Sequence, residues 1–190
     1  MRAAPRYNLI HRSTAVLLAA FAIAPPPVSA FSRGSGTCVA SAQTAAPMGM
    51  PISGDGGYTL QLQGPAGVPP NRYIPGQPAT LRISGTEPFR GLLLYAENGQ
   101  GARVGGFASF NLLNYRLLTE CEGADDSTLT HQSALLKAPP QDVTWRAPDT
   151  DAGALTFRAI VLRGFNNYFI LQSPPVTVFP DAIFGNGFEP

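Results

Sequence analysis

LTFRAIVLR, Leu155 to Arg163, is the longest apolar-rich run after residue 30. Its aromatic and β-branched members, Phe157, Ile160 and Val161, pack well on a pleated surface, so the run predicts a strand. Asp142–Arg146 (DVTWR) precedes it, and Tyr168–Gln172 and Val176–Phe179 follow it as shorter strands. Closer to the N-terminus, Tyr58–Gln63 (YTLQLQ) and Ala79–Ser84 (ATLRIS) alternate apolar and polar residues, the period of a half-buried strand. Leu92–Ala96 is continuously apolar, the pattern of a strand covered on both faces. Val104–Phe110, Tyr115–Thr119 and Ser133–Leu136 complete the series. Trp145, the only tryptophan, shares a strand face with Val143 and is expected in the core rather than on a ligand-binding platform.

The chain has 190 residues, 20 of them Gly and 19 Pro. That density interrupts long helices and suits short strands joined by tight turns, which excludes a helical bundle. About nine strands at short spacing, without βαβ alternation, predict a single all-β domain built as a two-sheet antiparallel sandwich. Only 13% of residues are charged, the formal net charge is +1, and no basic or acidic block is present. The electrostatic footprint of a nucleic-acid binder or a polybasic membrane-surface protein is therefore missing from the sequence.

Residues 1–30 carry Arg2, Arg6 and Arg12, an apolar run from Ala15 to Ala24, three prolines (Pro25, Pro26, Pro27) and then Val28, Ser29 and Ala30. This layout predicts a secretory signal peptide cleaved after Ala30, too short in its apolar part to anchor in a bilayer. The exported chain would hold ten basic against twelve acidic residues, a net charge of −2. No later run reaches membrane-spanning length and no N-x-[ST] triplet occurs. A soluble secreted or periplasmic protein is expected. In an oxidising compartment the two cysteines, Cys38 and Cys121, are expected to form a disulfide, the alternative being two free buried thiols. Residues 31–57, small and polar, read as extended coil pinned by that bond, residues 58–179 as the sandwich, and residues 180–190 as a tail. The ending IFGNGFE resembles short C-terminal tails of exported proteins of Gram-negative bacteria; the alternative is a frayed terminus.

Seven phrases occur in order between Tyr73 and Val161. They are Tyr-Ile-Pro-Gly (Tyr73 to Gly76), Phe-Arg-Gly (Phe89 to Gly91), Gly-Gly-Phe (Gly105 to Phe107), Cys121, Thr-His-Gln-Ser (Thr130 to Ser133), Val-Thr-Trp-Arg-Ala-Pro (Val143 to Pro148) and Gly-Ala-Leu-Thr-Phe-Arg-Ala-Ile-Val (Gly153 to Val161). In this order they resemble the reeler domain, found at the N-terminus of reelin and of spondins, in insect defence proteins and ahead of ferric-reductase-like membrane proteins. The resemblance implies an immunoglobulin-like sandwich and a disulfide between Cys38 and Cys121. It also implies a non-enzymatic extracellular binding or adhesion module, with a protein or polysaccharide as partner and no cofactor. Many reeler domains carry a second disulfide whose first cysteine falls near Ala154, where this chain has none. Between Gln132 and Gln141 only Lys137 is basic, so the clustered cations that a heparin-like ligand demands are not supplied there.

No catalytic, cofactor or metal site is expected. His131, the only histidine after residue 30, has Ser127, Ser133, Asp125 and Asp126 nearby in sequence. A hydrolytic triad would need an exposed nucleophile and an oxyanion loop, and no G-x-S-x-G elbow is present, so a structural histidine is the preferred reading. Glu120, Glu122, Asp125 and Asp126 crowd one loop, where hard oxygen ligands would suit Ca²⁺, but the calcium-loop pattern is absent and a solvated turn is preferred. A metal-dependent or hydrolytic enzyme built on His131 and loop 120–126 is the alternative function. A defence-type effector is a second alternative, opposed by the −2 charge. Asp149 and Asp151 read as turn residues, and Asn98–Gly106 as a hairpin connection rather than a phosphate loop. Recognition is expected on three loops, Asn98–Arg103, Glu120–Asp126 and Gly164–Asn167, with Asn98, Arg103, the four carboxylates, Asn166 and Asn167 as its exposed groups. A monomer is expected.

Overall fold

The structure, a computed structural model, describes residues 33–42, 45 and 48–180. The expected signal segment, its cleavage site and the tail beyond Pro180 lie outside the described residues.

Eleven strands are present among the described residues: β1 (Thr59–Gln63), β2 (Arg72–Tyr73), β3 (Pro78–Ser84), β4 (Gly91–Asn98), β5 (Gly106–Ser109), β6 (Tyr115–Leu117), β7 (Thr128–His131), β8 (Gln141–Arg146), β9 (Leu155–Gly164), β10 (Asn167–Gln172) and β11 (Thr177–Val178). A four-stranded sheet, β1-β3-β8-β5, faces a five-stranded sheet, β10-β9-β4-β7-β6, and the ladders in both are antiparallel. A two-stranded parallel ladder of β2 and β11 is a small third element that the alternation did not predict.

Period-two patterning sets the main core. Leu81 and Ile83 of β3, with Val143 and Trp145 of β8, turn inward against Leu92, Leu94, Phe157, Ala159 and Val161 of the opposite sheet, all fully or almost fully buried. Each such large apolar side chain contributes about 1.5–3 kcal/mol by leaving water. The expectation that Leu92–Ala96 is covered on both faces holds. Leu93 and Tyr95 point outward with Ile160 and Tyr168 into a second, smaller core closed by Ala40, Ala45, Leu118 and Cys121.

That second core corrects the reading of residues 31–57 as coil held only by a disulfide. The Cys38–Cys121 bond is present, with Cα atoms 5.4 Å apart across 83 residues of sequence. Further ties join it: Ser35 N donates to Thr130 Oγ1 (2.9 Å), Ala40 N to the Tyr95 hydroxyl (3.1 Å), Ile52 N to Tyr168 O (2.9 Å) and the Tyr168 hydroxyl to Gly49 O (2.8 Å). The segment carries few large apolar residues, which hid its packing role; backbone amides do most of the fastening.

A second correction concerns Ser133–Leu136, which is a loop; the strand is Thr128–His131 instead. All four β7 residues are buried, three of them polar, so no apolar alternation marks the strand. Thr130 meets its polarity internally by donating to Leu92 O at 2.9 Å.

Candidate binding ends of the sandwich

Strand register sorts the loops into two groups. In the β4–β9 pair Gly91 stands opposite Leu162 and Asn98 opposite Leu155, while Tyr95 pairs with Thr128 at the start of β7. Loops 98–103 and 120–126 therefore lie together at one end, beside the disulfide. Loop 164–167 lies at the other, with segments 86–90, 110–114 and 132–140.

At the disulfide end, two of the expected recognition residues serve the fold. Asn98 Oδ1 accepts from the amides of Gln100 and Ala102, both at 3.0 Å, closing its own hairpin. Arg103 was expected to be exposed and is half-buried. Its guanidinium donates to Thr128 Oγ1 and to Cys38 O and stacks over the Tyr95 ring, 4.2 Å from its centroid. Burial pulls its pKa below the ordinary arginine value, opposed by the neighbouring Tyr95 and by the carboxylates of Glu122 and Glu97. Glu120, Glu122, Asp125 and Asp126 are exposed, and among the described residues no three His, Cys, Asp or Glu side chains converge as a metal-binding group.

His131 ends β7, whereas Asp125, Asp126 and Ser127 precede it, so a strand length of roughly 13 Å separates them. His131 is 3% exposed; its Nε2 lies 3.3 Å from Gly34 N, and its Nδ1 lies 3.2 Å from both the amide and the carbonyl of Leu92, so both ring nitrogens are held by backbone groups. The hydroxyls of Ser127 and Ser133 donate to the carbonyls of Glu122 and Leu113. A cavity of about 20 Å³ beside the imidazole, lined by Gly34, Leu92 and Ile160, has room for a water and not for a substrate.

The opposite end is organised by Lys137, which the sequence marks only as the lone basic residue between Gln132 and Gln141. It is 1% exposed, and its ammonium donates to three backbone carbonyls: Arg90 O (2.7 Å), Ser133 O (2.8 Å) and Leu135 O (2.9 Å). Burial, with help from the Arg90 charge, lowers its pKa to about 8. The carbonyls of Ser133 and Leu135 turn inward to this cation while that of Ala134 accepts from Arg90 Nη1, and the side chains of Leu135 and Leu136 face out, 63% and 58% exposed. A neighbouring turn does the same by other means. Asn111 Oδ1 accepts from Leu113 N at 2.9 Å, which sets Leu112 and Leu113 at a loop tip, 74% and 76% exposed. Phe165, at the tip of the β9–β10 hairpin, is 67% exposed beside Asn166, which has a φ of 56°. Asn167 is half-buried, its Oδ1 without a hydrogen-bond partner. Among the described residues, every exposed large apolar side chain except Val39 stands at or beside this end, Met50 and Ile52 included.

Charge divides along the same axis. Among the described residues the Lys137 end carries Arg33, Arg90, Arg116, Lys137 and Arg163 against Asp55 and Glu87; the disulfide end carries Arg72, Arg103 and Arg146 against six carboxylates, Glu120, Glu122, Asp125, Asp126, Asp149 and Asp151. The sheet flanks are neutralised by two pairs, Arg82–Asp142 and Arg158–Glu97, each at 2.7 Å. An open groove of about 570 Å³ also runs along the edge strands β1 and β10; its lining, which includes Asp55, Tyr58, Gln61, Asn71 and Gln172, holds among the described residues a single carboxylate and no cation.

The phrases that carried the family resemblance are packing devices. Tyr73 is fully buried, its hydroxyl accepting from Ala152 N at 3.0 Å. A Cβ on Gly105 would lie 2.4 Å from the Trp145 ring, and one on Gly106 would lie 2.1 Å from the Asp126 carboxylate. Gly91 lies against Leu162 and His131. Among the described residues no helix is long and apolar enough to cross a membrane.

No curated protein sequence matches the chain. Among solved structures it is similar to the reelin-N domain of F-spondin, at 18% identity over 70% of this chain and 94% of that one, with a TM-score of 0.56. It is also similar to fragment 1 of the human F-spondin reeler domain, at 17% identity over 66% and 94% of the two chains, TM-score 0.52. Identities this low establish a common fold, the expected sandwich. The reeler domain profile matches residues 57–181, well over half of the sequence, and the chain belongs to the reeler domain family.

Proposed function

We propose that this protein is an exported, non-enzymatic binding module that recognises its partner with the loops at the Lys137 end. One observation carries the reading: loops 110–114, 133–136 and 164–167 place Leu112, Leu113, Leu135, Leu136 and Phe165 in solvent at the same end of the sandwich. Apolar groups gathered in this way mark an interaction surface. Family membership and the disulfide support an extracellular setting, and cleavage after Ala30 belongs to the same reading. Intact-mass measurement of exported protein should find Phe31 at the N-terminus.

The test measures binding of the purified protein to heparin, hyaluronan, alginate and phospholipid vesicles, beside a screen of ester, phosphoester and glycoside substrates. Wild type should retain one of the four probes. Leu112→Ser with Leu135→Ser should lose it, and Glu120→Gln with Asp125→Asn should keep it. Substrate turnover abolished by His131→Ala would replace this reading with an enzymatic one.

A further inference from the structure

Resting on the Lys137 end as the recognition surface, we infer that this end docks on an anionic phospholipid surface, its leucine and phenylalanine tips entering the boundary between headgroups and acyl chains. Three features converge. The apolar side chains stand on separate loop tips, and a set of tips suits a fluid layer that closes around each one. Their outward stance is built in: Asn111 caps the turn under Leu113, and the Lys137 ammonium draws the carbonyls of Ser133 and Leu135 inward. Around the tips, Arg33 and Arg90 are exposed and Arg116 and Arg163 half-buried, four guanidinium groups against two carboxylates among the described residues, with the Lys137 ammonium buried behind them. Apolar insertion and attraction to anionic headgroups are the two terms of interfacial binding.

A second copy of the chain fits this end poorly. Two such ends face to face would oppose like charges. The acidic disulfide end would supply complementary charge, but there, among the described residues, only Val39 of the large apolar side chains is exposed, at 46%. An anionic, amphipathic surface meets both requirements at once.

The experiment is vesicle flotation with the whole exported chain, comparing phosphatidylglycerol-containing vesicles with pure phosphatidylcholine at low and high salt. Binding should be at least about tenfold tighter to the anionic vesicles and should weaken as salt screens the arginines. Leu112→Ser with Leu113→Ser should weaken it by about tenfold or more, since each leucine leaves water on insertion. Both side chains are about three-quarters exposed, so the fold should persist, with unchanged Trp145 fluorescence as the check. Wild type that floats with neither vesicle, yet still binds a polysaccharide through the same loops, would overturn the lipid assignment and leave the binding module standing. Serine variants that bind anionic vesicles like wild type would also overturn it. So would a concentration-dependent dimer dispersed by the same substitutions, which would make this end a contact between copies.

Discussion

Lys137 Nζ donates to the carbonyl of Arg90 at 2.7 Å across 47 residues of sequence, tying the loop that carries Leu135 and Leu136 to the segment that enters β4. With Ser133 O and Leu135 O the ammonium has three acceptors, one for each of its protons. A buried cation is thereby made to shape an exposed surface.

Lys137→Met should lower stability by about 2–4 kcal/mol, because three carbonyls lose their donor inside the protein. The pH dependence has a definite sign. The folded pKa lies at about 8, below the ordinary 10.5. Between those values the unfolded chain holds a proton that the folded chain has released, so this residue's contribution to stability rises with pH across the window and is flat below it. Urea unfolding should show the gap between wild type and variant widening from pH 8 to pH 10.5; a gap that narrows there would contradict the assignment.

Reducing the Cys38–Cys121 bond, or making Cys121→Ser, should cost roughly 3–5 kcal/mol, as expected for a loop of this length. The loss should begin at the outer face of the five-stranded sheet, where Leu93, Tyr95, Ile160 and Tyr168 are covered by the disulfide-linked segment. Dye binding to newly exposed apolar surface should therefore precede loss of the main core, which Trp145 fluorescence reports.

Gly105 and Gly67 both have positive φ, at 66° and 86°. A Cβ on Gly105 would lie 2.5 Å from Arg146 O as well as against Trp145, whereas nothing lies within 4 Å of one on Gly67. Gly67→Ala should cost about 1 kcal/mol in backbone strain alone, and Gly105→Ala several times that, with an altered Trp145 spectrum. Equal midpoints in thermal unfolding would refute the packing account.

At the disulfide end, Arg103→Ala should destabilise by about 2 kcal/mol through its lost charged hydrogen bonds to Thr128 and Cys38. Glu120→Ala and Asp125→Ala, on exposed side chains, should stay within about 0.5 kcal/mol of wild type. Guanidinium unfolding of the three variants separates an internal fastener from surface charge.

Much of the architecture was legible in the residues. YTLQLQ and ATLRIS fall on β1 and β3 because a period of two has one structural meaning, and LTFRAIVLR lies within β9 because its aromatic and β-branched residues suit a pleated surface. Strand β7 escaped notice because Thr128, Thr130 and His131 are buried polar residues whose partners, among them Leu92 and Gly34, are distant in sequence. Arg103 misled for a related reason: a hairpin flanked by glycines reads as exposed, and only the fold brings Tyr95 and Cys38 to that guanidinium.

By itself the sequence determined the sandwich, the pairing of its two cysteines and the family, because alternation, turn residues and buried glycine contacts are local or leave fixed phrases in order. The polarity of the molecule was decided by tertiary structure alone. Arg33, Arg90, Arg116, Lys137 and Arg163 are spread over 130 residues and form no run, so composition shows a nearly neutral chain. Antiparallel register brings the loop ends together, and Lys137 turns one of those loops inside out. The physical reason is that a surface is defined by neighbours in space, which strand pairing creates and chain order conceals.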